Sequence, residues 1–317
     1  MKVFRHFHKP AVEPVALAIG NFDGVHLGHQ ALLQGLVEAA KTRGLASAVM
    51  TFEPHPREFF APAQAPTRLT SLREKLELFA EAGVEYVYVC HFTTRFAQVT
   101  ANAFMQDILR TKLDTRAVLV GEDFRFGAGR QGTLEDFRSA GFELISLRHV
   151  TLGGARVSST AVRAALASGE LDRAAALLGR PYSISGKVVH GDKLGRQLGY
   201  PTANIHMLHD RPPLFGVYAV KLGVPGAQEQ YLPGVASLGV RPTMKHNGKP
   251  TLEVHLFDFD ADIYGKHVRV QFLHKIRDEM KFPDLETLKQ WIASDETAAR
   301  EYFKNLAKAG NDCKKPQ

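Results

Sequence analysis

Val15-Ala16-Leu17-Ala18-Ile19-Gly20-Asn21-Phe22-Asp23-Gly24-Val25-His26-Leu27-Gly28-His29 is the stretch on which the fold turns. Val15–Gly20 is a short apolar run, the pattern of a buried strand. From His29 to Arg43, Leu32, Leu33, Leu36, Val37 and Ala40 recur at helical spacing, and Gly44 is placed to cap the C-terminus. Between strand and helix lie three glycines at intervals of four and two histidines three apart. In an open α/β sheet the carboxyl end of a strand is where ligands bind. Glycines there let backbone N–H groups approach a phosphate, and the helix N-terminus adds partial positive charge. His26 and His29 can face one anion and donate to phosphoryl oxygens as charge grows on them. Two blander readings compete: a tight turn with polar helix-start residues, and a two-histidine metal site with no further ligand nearby.

The alternation of strand and helix continues outward from this stretch. Leu45–Phe52, Val84–Cys90, Thr115–Gly121 and Phe142–Val150 read as strands. Ser71-Leu72-Arg73-Glu74 is a capping box opening a helix that ends near Gly83, and a further helix spans about Thr100 to Leu113. Short helical patterns follow at Ser159–Ala167 and Glu170–Leu178. Such alternation predicts a parallel sheet covered on both faces. The pattern changes at Gly179-Arg180-Pro181. Beyond it, 182–189, 216–222, 231–239, 251–257 and 267–274 are short β-branched and aromatic runs without helices between them, which predicts a small antiparallel barrel. Pro283-Asp284 opens a last helical region with Leu285, Leu288, Trp291 and Ile292 on one face, and a polar, loose tail follows Gly310. The expectation is an α/β, Rossmann-like domain over residues 1–180 and a β-barrel domain with a terminal helix over 181–317.

Composition narrows the classes. The 317 residues are 44% hydrophobic and 23% charged, which excludes a disordered chain, a collagen or a coiled-coil rod. No apolar run approaches the ~18 residues of a membrane helix, and Met1–Pro10 lacks the apolar core of a signal peptide. Two cysteines, Cys90 and Cys313, make no disulfide framework, so a reducing cytoplasmic compartment is expected. The net charge of +7 is spread evenly, with 21 basic against 18 acidic residues in 1–180 and 19 against 15 in 181–317. A nucleic-acid-binding protein with a basic barrel would concentrate that charge, so no nucleic acid is expected as partner.

Three later segments carry further chemistry. Gly121-Glu122-Asp123-Phe124-Arg125-Phe126-Gly127 follows a strand at the same sheet edge as the first loop. There Asp123 can orient a ribose or the histidine loop and Phe124 or Phe126 can pack on a ring, or the phenylalanines are core. Ser158-Ser159-Thr160 reads as a helix N-cap, a geometry that also aims N–H and hydroxyl groups at phosphates, with Arg163 one turn on to clamp a leaving pyrophosphate. Glu53-Pro54-His55-Pro56 is stiffened by its prolines. In the second half, His190–Ile205 holds Gly191, Gly195 and Gly199 at spacing four, with Lys193 and Arg196 for phosphate charge. Thr202 and Asn204 are two apart, so on an extended segment both point one way and offer hard oxygens to Mg²⁺ held jointly with nucleotide phosphates. Glu253 lies in the apolar run Leu252–Phe257, where a carboxylate is costly without a partner or a task, which marks it as a general base. The blander alternative is an outward-facing strand residue.

Gly20–His29 resembles the HxGH-type nucleotidyltransferases and, more narrowly, the bacterial bifunctional riboflavin kinase/FMN adenylyltransferase family. Thr51–Pro56, Val120–Gly127 and Arg156–Arg163 resemble that family's next three motifs in order. His190–Ile205, with Pro201-Thr202-Ala203-Asn204, resembles its riboflavin kinase motif, and Gly239–Thr243 and Leu252–Leu256 extend the likeness. Met244 and Phe257 stand where the family has Phe and Leu. The resemblance implies two activities. The C-terminal domain phosphorylates riboflavin to FMN with ATP, and the N-terminal domain joins AMP from a second ATP to FMN, releasing pyrophosphate and FAD. It implies catalytic roles for His26, His29 and Glu253. It implies ATP or phosphate contacts from Gly20, Asn21, Phe22, Asp23, Gly24, Gly28, Ser158, Ser159, Thr160, Arg163, Gly191, Lys193, Gly195, Arg196 and Gly199. Flavin or ribose contacts would come from Pro54, Asp123, Phe124 and Phe126, and Mg²⁺ from Thr202 and Asn204. A nearer rival is a single-activity adenylyltransferase for another phosphorylated precursor, with the barrel as a binding module.

Overall fold

The computed structural model describes residues 1–7, 13–191, 195, 198–208, 211–223, 231–240 and 250–312, the last four by backbone alone. The chain divides into two compact units, Met1–Ala161 and Val162–Gln317.

The first unit is built on six parallel strands: β1 (Lys2–Phe4), β2 (Val15–Ile19), β3 (Ala46–Glu53), β4 (Tyr86–His91), β5 (Thr115–Gly121) and β6 (Glu143–Leu147), in spatial order β1-β4-β3-β2-β5-β6. All five residues of β2 are buried, as a central parallel strand requires. Alternate side chains feed two cores. Ala16, Ala18, Val49, Val87 and Leu119 meet Leu33, Leu36 and Ala40 of the helix Leu27–Arg43, while Leu17, Met50, Tyr88 and Val118 meet Phe104, Ile108 and Phe137. Gly44 caps the C-terminus of Leu27–Arg43 as expected, at φ +63°, and His26 caps its N-terminus by accepting the His29 N–H. The Ser71–Glu74 capping box opens the helix Leu72–Glu81. The chain order reverses about β2, between β3 and β5, so a ligand crevice belongs at the carboxyl ends of β2 and β5.

Several elements differ from the sequence expectation. The edge strand β1 and the short helices Pro56–Phe60, Thr94–Ala97 and Leu134–Ser139 are too brief for a period to be read. The expected 100–113 helix is a turn at Ala101–Ala103 that passes into a π-helical stretch, Phe104–Lys112. Beyond β6, Gly153 and Gly154 turn a small hairpin of β7 (Thr151–Leu152) and β8 (Ala155–Arg156), both at positive φ.

The second unit is a closed antiparallel barrel of β9 (Ser183–Val189), β10 (Ala203–Met207), β11 (Gly216–Gly223), β12 (Tyr231–Val240), β13 (Pro250–Leu256) and β14 (His267–Arg277). Its order is β10-β13-β12-β11-β14-β9, with β9 closing on β10. Strict alternation turns Ile184, Leu252, Val254, Val268, Val270 and Phe272 inward. The helices Ser159–Ala167 and Leu171–Leu178 precede the barrel. The terminal helix Leu285–Asp312 continues past Gly310, where a loose tail was expected. It packs through Ala299, Tyr302 and Phe303 on Val217, Ala219, Val235 and Phe257. The expected apolar face is only half used: Leu285 is 57% exposed and Trp291 37%. The anchor at this end is polar instead. Asp295, 5% exposed, receives two hydrogen bonds from Arg277 at 2.8 and 2.7 Å, and that guanidinium lies over Phe282 and Trp291.

Replacing Asp295 by Ala leaves a largely buried Arg277 charge without its carboxylate, a loss toward the low end of the ~3–5 kcal/mol of a broken buried pair. Urea unfolding of Asp295→Ala is expected to show a lower midpoint for the transition that reports the barrel. An unchanged midpoint would assign the pair no part in holding the helix.

Candidate active sites

The first site forms where β2 ends. The Gly20 N–H still donates to Met50 O, and the Phe22 ring lies where a Cβ on Gly20 would point, 3.2 Å away. The chain then takes left-handed conformations at Phe22 (φ +51°), Gly24 (+84°) and Val25 (+40°). Non-glycine residues there cost roughly 1–2 kcal/mol each, offset by full burial of Phe22 against Phe79 and of Val25. The loop is tied down by Asp23. Its buried carboxylate accepts from the Leu69 N–H (3.0 Å), the Thr70 N–H (3.1 Å) and the Thr70 hydroxyl (3.3 Å), and Thr70 Oγ1 in turn accepts from Gly24 N–H. Asp23 therefore carries structure through its side chain, and a phosphate contact from this residue would come from its backbone.

His26 and His29 stack, with ring centroids 3.7 Å apart and planes at 17°. His26 Nδ1 accepts the His29 backbone N–H at 3.4 Å, which sets the ring at the helix start. Gly28 lets the ring lie close beneath it, since a Cβ there would sit a tight 3.2 Å from the imidazole. The Ser158–Thr160 segment is joined to this loop: Ser158 Oγ caps its helix by accepting Ala161 N–H (3.2 Å), and Ser159 Oγ donates to Asp23 O (2.8 Å). Thr160 is exposed, and Arg163, one turn on, belongs to the second compact unit.

The neighbouring strand end, after β5, presents Asp123. It is exposed and held by Arg156 at 2.8 Å, which keeps its carboxyl below the usual range, with His149 at 3.8 Å. Phe124 is half-buried. Phe126 is buried and stacks on Phe137 at 4.3 Å. On the other side of β2, Thr51 donates to Asn21 O (3.3 Å), Glu53-Pro54 is a cis peptide, and His55 caps the helix Pro56–Phe60. Arg68 pairs with both Glu53 and Glu58. This cluster joins residues 15 apart at most by side chains alone, and no spacing rule announces it.

The second site lies on the outer face of the barrel. In register, Ser237 of β12 faces Glu253 of β13, which faces Asn204 of β10. Their neighbours Leu238, Leu252 and Ile205 point inward, so these three share the outer face. Thr202 joins them, its hydroxyl 3.4 Å from Glu253 Oε2. Two glycines are sterically required: a Cβ on Gly191 would collide with the Asn204 amide, and one on Gly195 with Tyr200 O. Gly199 turns the chain at φ +92°. His255 Nδ1 contacts Pro201 O at 2.9 Å and so steadies the start of the Thr202–Asn204 segment. Lys193, Arg196, Arg241, Pro242, Thr243 and Met244 lie outside the described residues. The sequence reading missed Ser237 and Glu279. Ser237 donates to Glu279 at 2.9 Å, and the Glu279 carboxylate covers Gly239 where a Cβ would stand. The barrel register brings Ser237 beside Glu253, and Glu279 joins through Ser237. Among the described residues no three His, Cys, Asp or Glu side chains form a metal cage. The Thr202 and Asn204 oxygens instead suit a hard cation shared with a nucleotide phosphate.

Comparison with known proteins assigns both halves. The FAD synthetase family model matches residues 8–161 and the riboflavin kinase model residues 178–303. The chain is 50% identical over 310 residues to the bifunctional riboflavin kinase/FMN adenylyltransferase of Escherichia coli K12, covering 96% of this chain and 98% of that one. The Haemophilus influenzae and Pseudomonas fluorescens proteins of the same name are 44% and 45% identical over 96% and 95% of this chain, and 99% and 97% of their own. Among solved structures, a Streptococcus pneumoniae chain described as a macrolide-efflux protein superposes with a TM-score of 0.78 at 32% identity, covering 94% of this chain and 98% of that one. No described helix of this chain is long and apolar enough to cross a membrane. A second enzymatic match over the barrel removes the reading in which it is only a binding module. Two strand-end loops around a histidine pair, a barrel row around Glu253 and near-full-length identity all agree: the chain belongs to the bifunctional riboflavin kinase/FMN adenylyltransferase family.

Proposed function

We propose that this chain makes FMN from riboflavin and then FAD from FMN, with a separate reactive cluster in each compact unit. The observation that carries the reading is this duplication. The stacked His26–His29 pair lies in the first unit and the Thr202–Asn204–Glu253 row in the second. We place the domain boundary near Gly179–Pro181. Gly179 closes its helix at φ +69° and the kinase match begins at residue 178, although compactness alone divides the chain at Ala161.

In the kinase step Glu253 takes the proton of the riboflavin primary hydroxyl as its oxygen attacks the γ-phosphorus of ATP and ADP leaves. The Thr202 hydroxyl orients the carboxylate. Thr202 and Asn204 would hold Mg²⁺, which when bound neutralises phosphate charge. Gly191, Gly195 and Gly199, with Lys193 and Arg196, would surround the phosphates. In the second step an FMN phosphate oxygen attacks the α-phosphorus of ATP and pyrophosphate departs. His26 and His29 donate to the α-phosphoryl oxygens, where charge is greatest in the transition state. Backbone groups of Gly20–Gly24 and Gly28, with Ser158 and Thr160, would bind the triphosphate, while Pro54, Asp123 and Phe124 would border the flavin and ribose. The substrates are small molecules, with no nucleic acid and no membrane as partner, and the compartment is the cytoplasm.

The deciding experiment separates the flavins after incubation with riboflavin, ATP and Mg²⁺. Glu253→Gln is expected to lose riboflavin phosphorylation by ~10²-fold or more while still converting supplied FMN to FAD. Near-normal FMN output from this variant would remove Glu253 from the role.

His29→Ala is expected to slow FAD formation by ~10²–10³-fold, the scale of one lost transition-state donor, so that FMN accumulates. A folded His29→Ala protein that also stops making FMN would point to one shared site. In a Mg²⁺ titration, Asn204→Ala should need more metal for the kinase step alone. A curve that overlays the wild type would leave Thr202 and Asn204 with a purely structural part.

A further inference from the structure

Beneath the histidine loop lies a charge that the steps above do not use. Lys75, in the first turn of Leu72–Glu81, is only 4% exposed. Its ammonium donates to the Asn21 backbone carbonyl at 3.4 Å, the same oxygen that accepts from Thr51. Among the described residues no carboxylate comes within ion-pair distance of Nζ. The charged groups facing it are Glu53, Asp23 and Glu58, which favour the ammonium, and Arg68, which opposes it. The surrounding network is also incomplete. Asn21 Oδ1 and Glu53 Oε2 are both buried without a hydrogen-bond partner among the described residues. A lysine whose only task is to fill space would be replaced by Met at a gain, because burying an ammonium without a close counter-ion is costly. Unsatisfied buried polar groups gathered at one place mark a functional site more often than a packing accident.

We propose that Lys75 is a positioning residue for adenylyl transfer: its ammonium fixes the Asn21 peptide from below and thereby sets the strained turn that presents His26 and His29. The connection is short. Asn21 immediately precedes Phe22, the first of the left-handed residues, and Phe22 packs against His29 at 5.2 Å between ring centroids. A rotated Asn21 peptide would move Phe22 and with it the imidazole pair. Small displacements of this kind act on the rate more than on ground-state binding. Burial holds the Lys75 ammonium below the ordinary lysine range. Its proton is therefore lost at lower pH than in a free lysine, and adenylylation should fall as pH rises through that transition.

The inference rests on the reading of His26 and His29 as the adenylyl-transfer pair, and the test keeps the two apart. FAD formation from supplied FMN is measured across alkaline pH for the wild type, Lys75→Met, Lys75→Arg and His29→Ala, with FMN production by the barrel as the control. Lys75→Met keeps the apolar stem. It should lower kcat by ~10²-fold, the cost of a misplaced catalytic group, with KM for FMN nearly unchanged and no lower melting temperature. Lys75→Arg stays charged at every pH tested, so it should retain much of the rate and lose the alkaline decline of the wild type. Wild-type kcat in Lys75→Met, or an unaltered alkaline decline in Lys75→Arg, would overturn the proposal. Should Lys75→Met fail to fold, the wild-type and Lys75→Arg profiles decide alone. If His29→Ala is also fully active, the site reading itself fails; if His29→Ala is inactive and Lys75→Met is not, only the role of Lys75 falls.

Discussion

The buried carboxylate of Asp23 is the constraint on which the first site depends. A loop that leaves a central strand and stays inside the protein must find partners for its backbone groups. Asp23 does this for two segments at once, accepting the Leu69 and Thr70 N–H groups while its own carbonyl accepts from Ser159. Three stretches far apart in sequence are thereby held in one arrangement: the histidine loop, the lead into the Leu72–Glu81 helix, and the Ser158–Thr160 cap. The left-handed residues Phe22 and Val25 persist because this frame over-determines them.

The barrel solves a different problem. Phosphoryl transfer asks chiefly for placement of charged oxygens, and a closed sheet supplies placement through its register. Inward side chains fill the barrel, so reactive groups can only stand outside or at its mouths. The row Ser237–Glu253–Asn204 uses the outer face, where neighbouring strands hold side chains at a fixed separation. At Gly191 and Gly195 the backbone lies directly against Asn204 and Tyr200, an approach that a side chain would block. The Arg277–Asp295 pair then pins the terminal helix over β11 and β12, which keeps that wall from shifting.

The two units thus hold their chemistry in contrasting ways. In the α/β unit, donors sit on a loop and helix start and are located by buried polar ties. In the barrel, the candidate groups sit on strands and are located by backbone pairing. A polar tie can be lost to one substitution, whereas a register shared by six strands is spread over many bonds.

Much of this was legible in the sequence. Continuous apolar runs alternating with amphipathic helices specified a parallel sheet, and β-branched runs without helices specified the barrel, because burial on two faces or on one leaves different periodicities. The histidine loop, the capping box at Ser71 and the Thr202–Asn204 pair were readable because local spacing alone sets which side chains share a face. Tertiary structure decided the rest. Asp123 and Phe126 lie three apart in one motif, yet one is exposed beside Arg156 and the other is stacked in the core. Asp23 turned out to be a tie, and Ser237, Glu279, Arg68 and Lys75 gave no local signal at all. Their partners lie on other strands and helices, and only the folded register and burial bring such groups within hydrogen-bonding reach of one another.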